Sequence, residues 1–148
     1  MVQLNLPPYE VKLQKMDGKI HIFDSIRKKY LVLTSEEWVR QHFLHFLIKH
    51  KSYPQGLISM ESGIKYNQLQ KRTDMVVRNR DLSPLLLVEC KAPEVKLNDQ
   101  VFRQITTYFK EFKAKYMIVT NGLEHYCFSI ENGAISFKDE IPTYDAIA

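Results

Sequence analysis

The stretch Leu85-Leu86-Leu87-Val88-Glu89-Cys90-Lys91-Ala92-Pro93 decides the fold, because an apolar run leads directly into an acid and a base. An apolar run closed by proline predicts a strand buried on both faces, near the centre of a sheet. Side chains alternate between the two faces of a strand, so Glu89 and Lys91 point the same way. A central strand that ends in this manner indicates a cleft that uses both charges.

A second acid, Asp74, lies near the start of a strand predicted over residues 72–78, ahead of a turn at 79–84. A hairpin across that turn would bring Asp74 close to Glu89. Two adjacent carboxylates are hard-oxygen ligands suited to Mg²⁺ or Mn²⁺. Lys91 beside them could orient a water or stabilise charge that develops on a phosphate. The alternative is an ordinary solvated Glu-x-Lys pair, and the apolar run before Glu89 favours the cleft.

The remaining pattern predicts an α/β protein with two helices on its sheet. Asp17-Gly18 between alternating runs predicts an N-terminal hairpin, followed by an extended segment at 30–33. Thr34 or Ser35 caps a first helix that runs to about Ile48. A second helix is predicted over 98–113, and further strands over 57–62, 116–120, 125–130 and 134–137.

The second helix combines an apolar stripe with a polar one. The polar stripe is either a solvated face or a surface that hydrogen-bonds a phosphate or a lysine. The apolar stripe contains Val101, Ile105, Phe109 and Phe112, and the polar stripe contains Gln100, Gln104 and Tyr108.

Length and composition favour one domain over residues 1–148, because 45% of the 148 residues are hydrophobic and 26% are charged. The pattern of predicted elements divides this domain into an N-terminal hairpin at 10–33, a core at 34–130 and a C-terminal hairpin at 125–138. No apolar run approaches the roughly 20 residues of a membrane span, and no signal peptide is visible. Cys90 and Cys127 form neither a disulfide framework nor a zinc pattern. We expect a cytoplasmic protein with no membrane partner.

The formal charge of +4 permits a nucleic-acid partner and equally permits a solvated, lysine-rich surface. The sequence has no glycine-rich phosphate loop, so nucleotide chemistry of the P-loop kind is not indicated. A chain of this size also has no room for a helicase motor.

Asp74, Glu89-x-Lys91 and Gln104-x-x-x-Tyr108 resemble the PD-(D/E)xK nuclease superfamily, in the branch that carries a Gln-x-x-x-Tyr helix. Roughly from Asp24 to Ile130, the chain resembles the N-terminal nuclease domain of type I restriction enzyme R subunits. The segments that carry this likeness are 33–41, 72–77, 87–93, 104–108 and 119–122. The resemblance implies a restriction-endonuclease-like core, a mixed central sheet flanked by two helices, with a β-hairpin at each end.

The resemblance also implies a metal-dependent DNA endonuclease. Asp74, Glu89 and the backbone carbonyl of Cys90 would bind Mg²⁺ (or Mn²⁺), and Lys91 would act on the attacking water or the transition state. Gln104 and Tyr108 would support Lys91 and the scissile phosphate. The first motif reads Thr-Asp where the family often has Pro-Asp, and only the Asp binds metal.

An acid on the first helix often joins the metal shell in this superfamily. Glu36 shares a helical face with Val39 and Phe43, so we expect it to point toward the core and favour it over Glu37. Glu61, at the end of the strand over 57–62, is a further candidate, although a surface role is more common for such an acid.

Basic residues flank Asp74, and they either contact DNA phosphates or form a solvated edge. The expected partners are DNA and a motor or restriction-complex subunit. Two alternatives remain: a non-cleaving module that binds nucleic acid or docks a protein, and an accessory nuclease that needs a separate motor. The predicted DNA-binding residues are Lys71, Arg72 and Arg78, with Lys65, Arg80 and residues 27–29 as further basic positions.

Overall fold

The computed structural model of the chain describes residues 1–60, 74–110 and 112–148, with Tyr108 described by its backbone alone. In these ranges the strands form two sheets. The small sheet contains β1 (Leu13–Met16), β2 (Lys19–Asp24) and β3 (Lys29–Val32). The main sheet contains β4 (Ile58–Met60), β5 (Met75–Arg78), β6 (Pro84–Cys90), β7 (Tyr116–Thr120), β8 (His125–Glu131) and β9 (Ala134–Phe137). The helices are α1 (Ser35–His50), α2 (Asp99–Phe109) and a short α3 (Tyr144–Ile147).

The main sheet is mixed, and its strands lie in the order β4-β5-β6-β7-β8-β9. β6 pairs in parallel with β7, and the other neighbours pair antiparallel. A parallel pair needs a crossover, and α2 supplies it. β6 therefore lies inside the sheet, and it is buried from Leu85 to Cys90. The predicted central strand is confirmed.

The two long helices pack on opposite faces of the main sheet. Leu87 and Val88 are consecutive on β6, so they point to opposite faces. Val88 belongs to the core that α1 covers, and Leu87 belongs to the core that α2 covers. The α1 side of the core includes Val39, Phe43 and Leu47, and the α2 side includes Ile105, Phe109, Met117 and Val119.

Helix α1 is covered on a second side by the N-terminal segment. The Tyr9 ring stacks on His45 at 3.9 Å between centroids, and the Trp38 indole N–H donates to the Val2 carbonyl at 2.9 Å. Gln41 and His42 are buried there, beyond the apolar stripe that packs on the sheet. Of the two predicted caps, Thr34 is the one that caps the helix, and its Oγ1 accepts from the Glu37 N–H at 3.0 Å. This double coverage decides which acid of the first turn becomes buried.

The predicted fold class is confirmed, with local differences. Helix α2 ends at Phe109, ahead of the predicted Lys113, and the short helix α3 was not predicted. The N-terminal hairpin and the extended segment after it join into one antiparallel sheet. The predicted strand ends at 61–62 and 72–73 lie outside the described residues. In the ranges that are described, no helix is both long and apolar enough to cross a membrane.

Gly122, in the turn after β7, should not tolerate a side chain. Its φ is +86°, and an added Cβ would lie 2.7 Å from Leu4 Cδ2 and 3.1 Å from Val39 Cγ2. We expect Gly122→Ala to lose about 1 kcal/mol of unfolding free energy from backbone strain and about 1–3 kcal/mol more from overpacking. Urea unfolding measures this loss.

Gly133→Ala is the matched control, because Gly133 has a φ of +79° and open space around the added Cβ. This variant should show only the strain, so an equal loss in both variants would contradict the predicted clash with Leu4 and Val39.

Candidate active site

Asp74 forms hydrogen bonds to the main chain of the central strand on both sides of Glu89. Its backbone N–H donates to the Val88 carbonyl at 3.1 Å, and its Oδ2 accepts from the Cys90 N–H at 2.6 Å. Because Val88 and Cys90 flank Glu89 in the chain, these bonds hold the Asp74 carboxylate at the Glu89 end of β6. The structure thus brings together the two acids that the sequence predicted to be neighbours.

Lys91 completes this group. Its Nζ lies 3.9 Å from Glu89 Oε2, as expected for residues on one face of a strand. The backbone N–H of Lys91 donates to the Thr120 carbonyl at 2.8 Å, so β7 fixes the main chain. Glu89 is buried, whereas the Lys91 side chain is 33% exposed. The ammonium can therefore reach a molecule that approaches the site from solvent.

Arg40 on α1 places a cation among the acids. Its Nε donates to Asp74 Oδ1 at 3.0 Å, and its Nη2 contacts the same oxygen. Nη1 donates to Glu37 Oε1 at 2.6 Å, and Nη2 donates to Glu36 Oε1 at 2.8 Å. Burial alone would lower the pKa of Arg40, but Asp74 and its other acidic neighbours raise it on balance. Arg40 therefore stays charged and links three carboxylates.

Glu36 and Glu37 occupy different environments, and the expectation that Glu36 points toward the core is wrong. Glu37 is the buried one, because the N-terminal segment near Tyr9 and Asp24 covers its side of α1. The Glu36 side chain is 47% exposed. Partial burial and the nearby charge of Asp74 raise the pKa of Glu36. Glu36 is thus the helix acid on the open side of the site.

A buried hydrogen-bond chain continues from Glu37 to the small sheet. Gln41 Nε2 donates to Glu37 Oε2 at 2.8 Å and to Asp24 Oδ2 at 3.1 Å. Asp24 also accepts from the backbone N–H groups of Ile26 and Arg27 and from Arg27 Nε at 2.8 Å. Burial alone would raise the pKa of Asp24, but these donors lower it on balance. The chain fixes Glu37, which in turn holds Arg40.

Sequence reasoning gave no role to Arg40, Gln41 or Asp24. The available signal was the helical spacing of Glu36 and Glu37 with Arg40 and Gln41, since residues three and four apart contact one another on a helix. That spacing indicates ion pairs along α1. It does not reveal that Arg40 also reaches Asp74, which lies 34 residues away in the chain.

Helix α2 stands on the Glu89 side of the sheet, with Ile105 buried and Gln104 exposed. It follows β6 through the loop over residues 91–98, so its first turns lie toward the carboxyl end of β6. Asn121 fixes this loop, because its buried Nδ2 donates to the Val95 carbonyl at 2.8 Å. The contact of Gln104 with Lys91 stays a prediction, and the Tyr108 side chain lies outside the described residues.

The predicted DNA-binding residues are only partly described, and their role stays a prediction. Lys71 and Arg72 lie outside the described residues, as do Glu61 and Lys65. Arg78 is at the opposite end of β5 from Asp74, about 13 Å away at the usual rise of a strand. Its Nη1 donates to Ser59 Oγ at 2.8 Å, and its carbonyl accepts from the Tyr144 hydroxyl at 2.9 Å.

Cys90 packs as a small core residue, as expected. It is 1% exposed, and burial raises the pKa of its thiol well above the usual value, with the charge of Asp74 adding to the effect. A thiol in this environment is a poor nucleophile. The contribution of Cys90 to the site is its backbone.

The donor set suits a hard divalent cation. In the ranges that are described, no three Asp, Glu, His or Cys side chains are already grouped as a metal cage. Asp74, Glu89 and the exposed Glu36 are nevertheless oxygen donors on one end of the sheet, and Mg²⁺ often takes one or two carboxylates and keeps several waters. The residues present therefore fit such an ion.

A fragment assigned as an HsdR subunit of a type I restriction enzyme from Vibrio vulnificus matches 78% of this chain, with a TM-score of 0.58 and 22% sequence identity. At this identity the likeness shows the fold alone, and the present chain spans 24% of that chain. No curated protein matches.

The family described as the type I restriction enzyme R protein N terminus matches residues 35–142, which is more than half of the chain. The match includes α1, the main sheet and α2, and therefore Arg40, Asp74, Glu89 and Lys91. The chain belongs to the family of type I restriction enzyme R protein N termini.

Proposed function

We propose that the chain is a Mg²⁺-dependent DNA endonuclease domain of the PD-(D/E)xK kind, which hydrolyses phosphodiester bonds. The observation that carries this proposal is the grouping of Asp74, Glu89 and Lys91 at the end of the central strand. Membership of a restriction-enzyme family supports a role in restriction.

The acids would hold the ion. Asp74 and Glu89 offer carboxylate oxygens, the backbone carbonyl of Cys90 is the proposed third ligand, and Glu36 is the acid of α1 in the best position to join them. When bound, Mg²⁺ (or Mn²⁺) supplies a Lewis acid that polarises the phosphate and makes a bound water more acidic.

Lys91 would act on the water and on the phosphate. Its ammonium is partly exposed beside Glu89 and can donate to an attacking water, which orients the oxygen lone pair toward phosphorus. The same charge stabilises the negative charge that builds on the phosphate oxygens in the transition state. Gln104 and Tyr108 are proposed to hold Lys91 and the phosphate, and Lys71, Arg72 and Arg78 to contact the DNA backbone.

One observation favours a second candidate, a module of nuclease fold that binds DNA or a protein and does not cleave. Arg40 already neutralises Asp74, as a purely structural ion pair would.

A third candidate is a nuclease that cuts only when a motor subunit delivers DNA. The family supports a partner of this kind, and the chain spans about a quarter of the similar HsdR fragment.

A supercoiled-plasmid assay separates these candidates. With Mg²⁺ the wild-type domain should convert supercoiled plasmid into nicked or linear forms, and excess EDTA should stop this conversion. Asp74→Ala should be inactive, whereas Asp139→Ala, a change at an exposed acid, should cut like wild type. Binding without cutting would favour the second candidate. Cutting that appears only when a motor subunit and ATP are added would favour the third.

A further inference from the structure

Arg40 occupies the oxygen of Asp74 that faces α1. Two guanidinium nitrogens contact Asp74 Oδ1, while Oδ2 accepts from the Cys90 N–H at 2.6 Å. We propose that Arg40 competes with the divalent cation for Asp74 and thereby sets the metal affinity of the site. This inference rests on the proposed function, because it concerns the same ion.

Electrostatic repulsion prevents the Arg40 guanidinium and the divalent ion from binding Asp74 at the same time. An ion on Asp74 Oδ1 would lie within a few ångströms of the guanidinium. The side chains of Arg40 and Asp74 are each 13% exposed, so solvent and salt screen the repulsion poorly. The ion therefore binds Asp74 fully only when Arg40 has withdrawn from it.

Arg40 can withdraw without entering solvent. It keeps Glu37 as a partner on its own helix, at 2.6 Å. Gln41 holds Glu37 from the other side at 2.8 Å, so this anchor does not move with Arg40. Asp74 in turn keeps the Cys90 N–H, which maintains the direction of its carboxylate. When the ion replaces Arg40 on Asp74, both Arg40 and Asp74 thus retain a hydrogen-bonding partner.

The charge count supports an exchange of this kind. Among the described residues of this connected network, the acids Asp24, Glu36, Glu37, Asp74 and Glu89 carry a formal charge of −5. The bases Arg27, Arg40 and Lys91 carry +3, which leaves −2. One divalent ion neutralises that remainder. Without Arg40 the remainder would be −3, and the attraction for a cation would increase.

The test is calorimetric titration of the full chain with Mn²⁺ alone. We expect Arg40→Gln to bind Mn²⁺ at least tenfold more tightly than wild type. Arg80→Gln is the matched control, because Arg80 is exposed and lies over the Tyr144 ring, away from the site. The control should stay within about twofold of wild type. Equal or weaker binding by Arg40→Gln, with wild type binding normally, would overturn the inference and leave the proposed function standing.

A second measurement needs no variant. In wild type, the NMR signal of the Arg40 Nε–Hε group should shift during titration with Mg²⁺, because that group loses Asp74 as its acceptor. A signal that stays in place at saturation, while the Cys90 amide shifts, would overturn the competition. If wild type binds neither ion at millimolar concentration, the proposed function fails, and this inference fails with it.

Discussion

Lys91→Ala should abolish DNA cleavage and leave DNA binding nearly intact. Removal of one positioned charge that stabilises a transition state lowers the turnover rate by about 10²- to 10³-fold. Lys91 is also one of 21 lysines and arginines, so its loss subtracts little from the attraction for the DNA backbone. The Lys91 side chain is one-third exposed, and its backbone bond to Thr120 does not depend on the side chain. The fold should therefore survive.

Cleavage is measured as single-turnover conversion of supercoiled plasmid, and binding as the fluorescence anisotropy of a labelled duplex. Lys96→Ala is the matched control, an exposed lysine in the loop that follows. It should change neither quantity by more than about twofold. Cleavage by Lys91→Ala within a few-fold of wild type would show that the lysine is not catalytic.

Glu89→Gln should lose most of the affinity for Mn²⁺. The substitution keeps the shape of the side chain and replaces a charged ligand with a neutral amide. Because changes among the outer partners of a metal site already cost about 10- to 100-fold in affinity, loss of a direct ligand should cost at least as much. Calorimetric titration of wild type and variant measures the difference.

Glu94→Gln controls for the loss of one negative charge, since Glu94 is exposed and follows closely in the chain. Circular dichroism checks that both variants are folded. An unchanged Mn²⁺ affinity in Glu89→Gln would mean that Asp74 binds the ion without Glu89, and the proposed ligand set would be wrong.

The main sheet could be predicted because its central strands are recognisable from their own short stretches of sequence. The runs over 85–88 and 116–119 are continuously apolar, and a buried strand needs no more than that. The placement of Glu89 and Lys91 on one face follows from strand alternation alone. This part of the candidate site therefore required no knowledge of distant contacts.

The end of α2 was predicted less well, because the residues there have only a weak local preference for the helical conformation. Thr106 Oγ1 bonds back to the Phe102 carbonyl at 2.9 Å, and Thr107 Oγ1 to the Arg103 carbonyl at 2.7 Å. Such back-bonding slightly destabilises a helix. The helix ends at Phe109, although an apolar residue at helical spacing, Phe112, continues the stripe.

The α1 half of the site could not be predicted from the sequence. Periodicity assigned Glu36 to the core because it shares the stripe of Val39. Burial of the first turn depends instead on the N-terminal segment, which covers the other side of α1. The bond from Arg40 to Asp74 likewise depends on how α1 sits against β5, and no local rule of spacing encodes that.

The order in which these charges meet follows from their separation along the chain. β5 and β6 form a hairpin whose turn is closed by the bonds between Asn79 and Ser83, and such hairpins form within about 1–10 μs. Arg40 lies 34 residues before Asp74, so closing that longer loop costs more chain entropy. During folding we therefore expect Asp74 and Glu89 to approach before Arg40 docks. In this order the Asp74 and Glu89 carboxylates meet with only Lys91 beside them, so their mutual repulsion opposes hairpin formation until Arg40 binds Asp74.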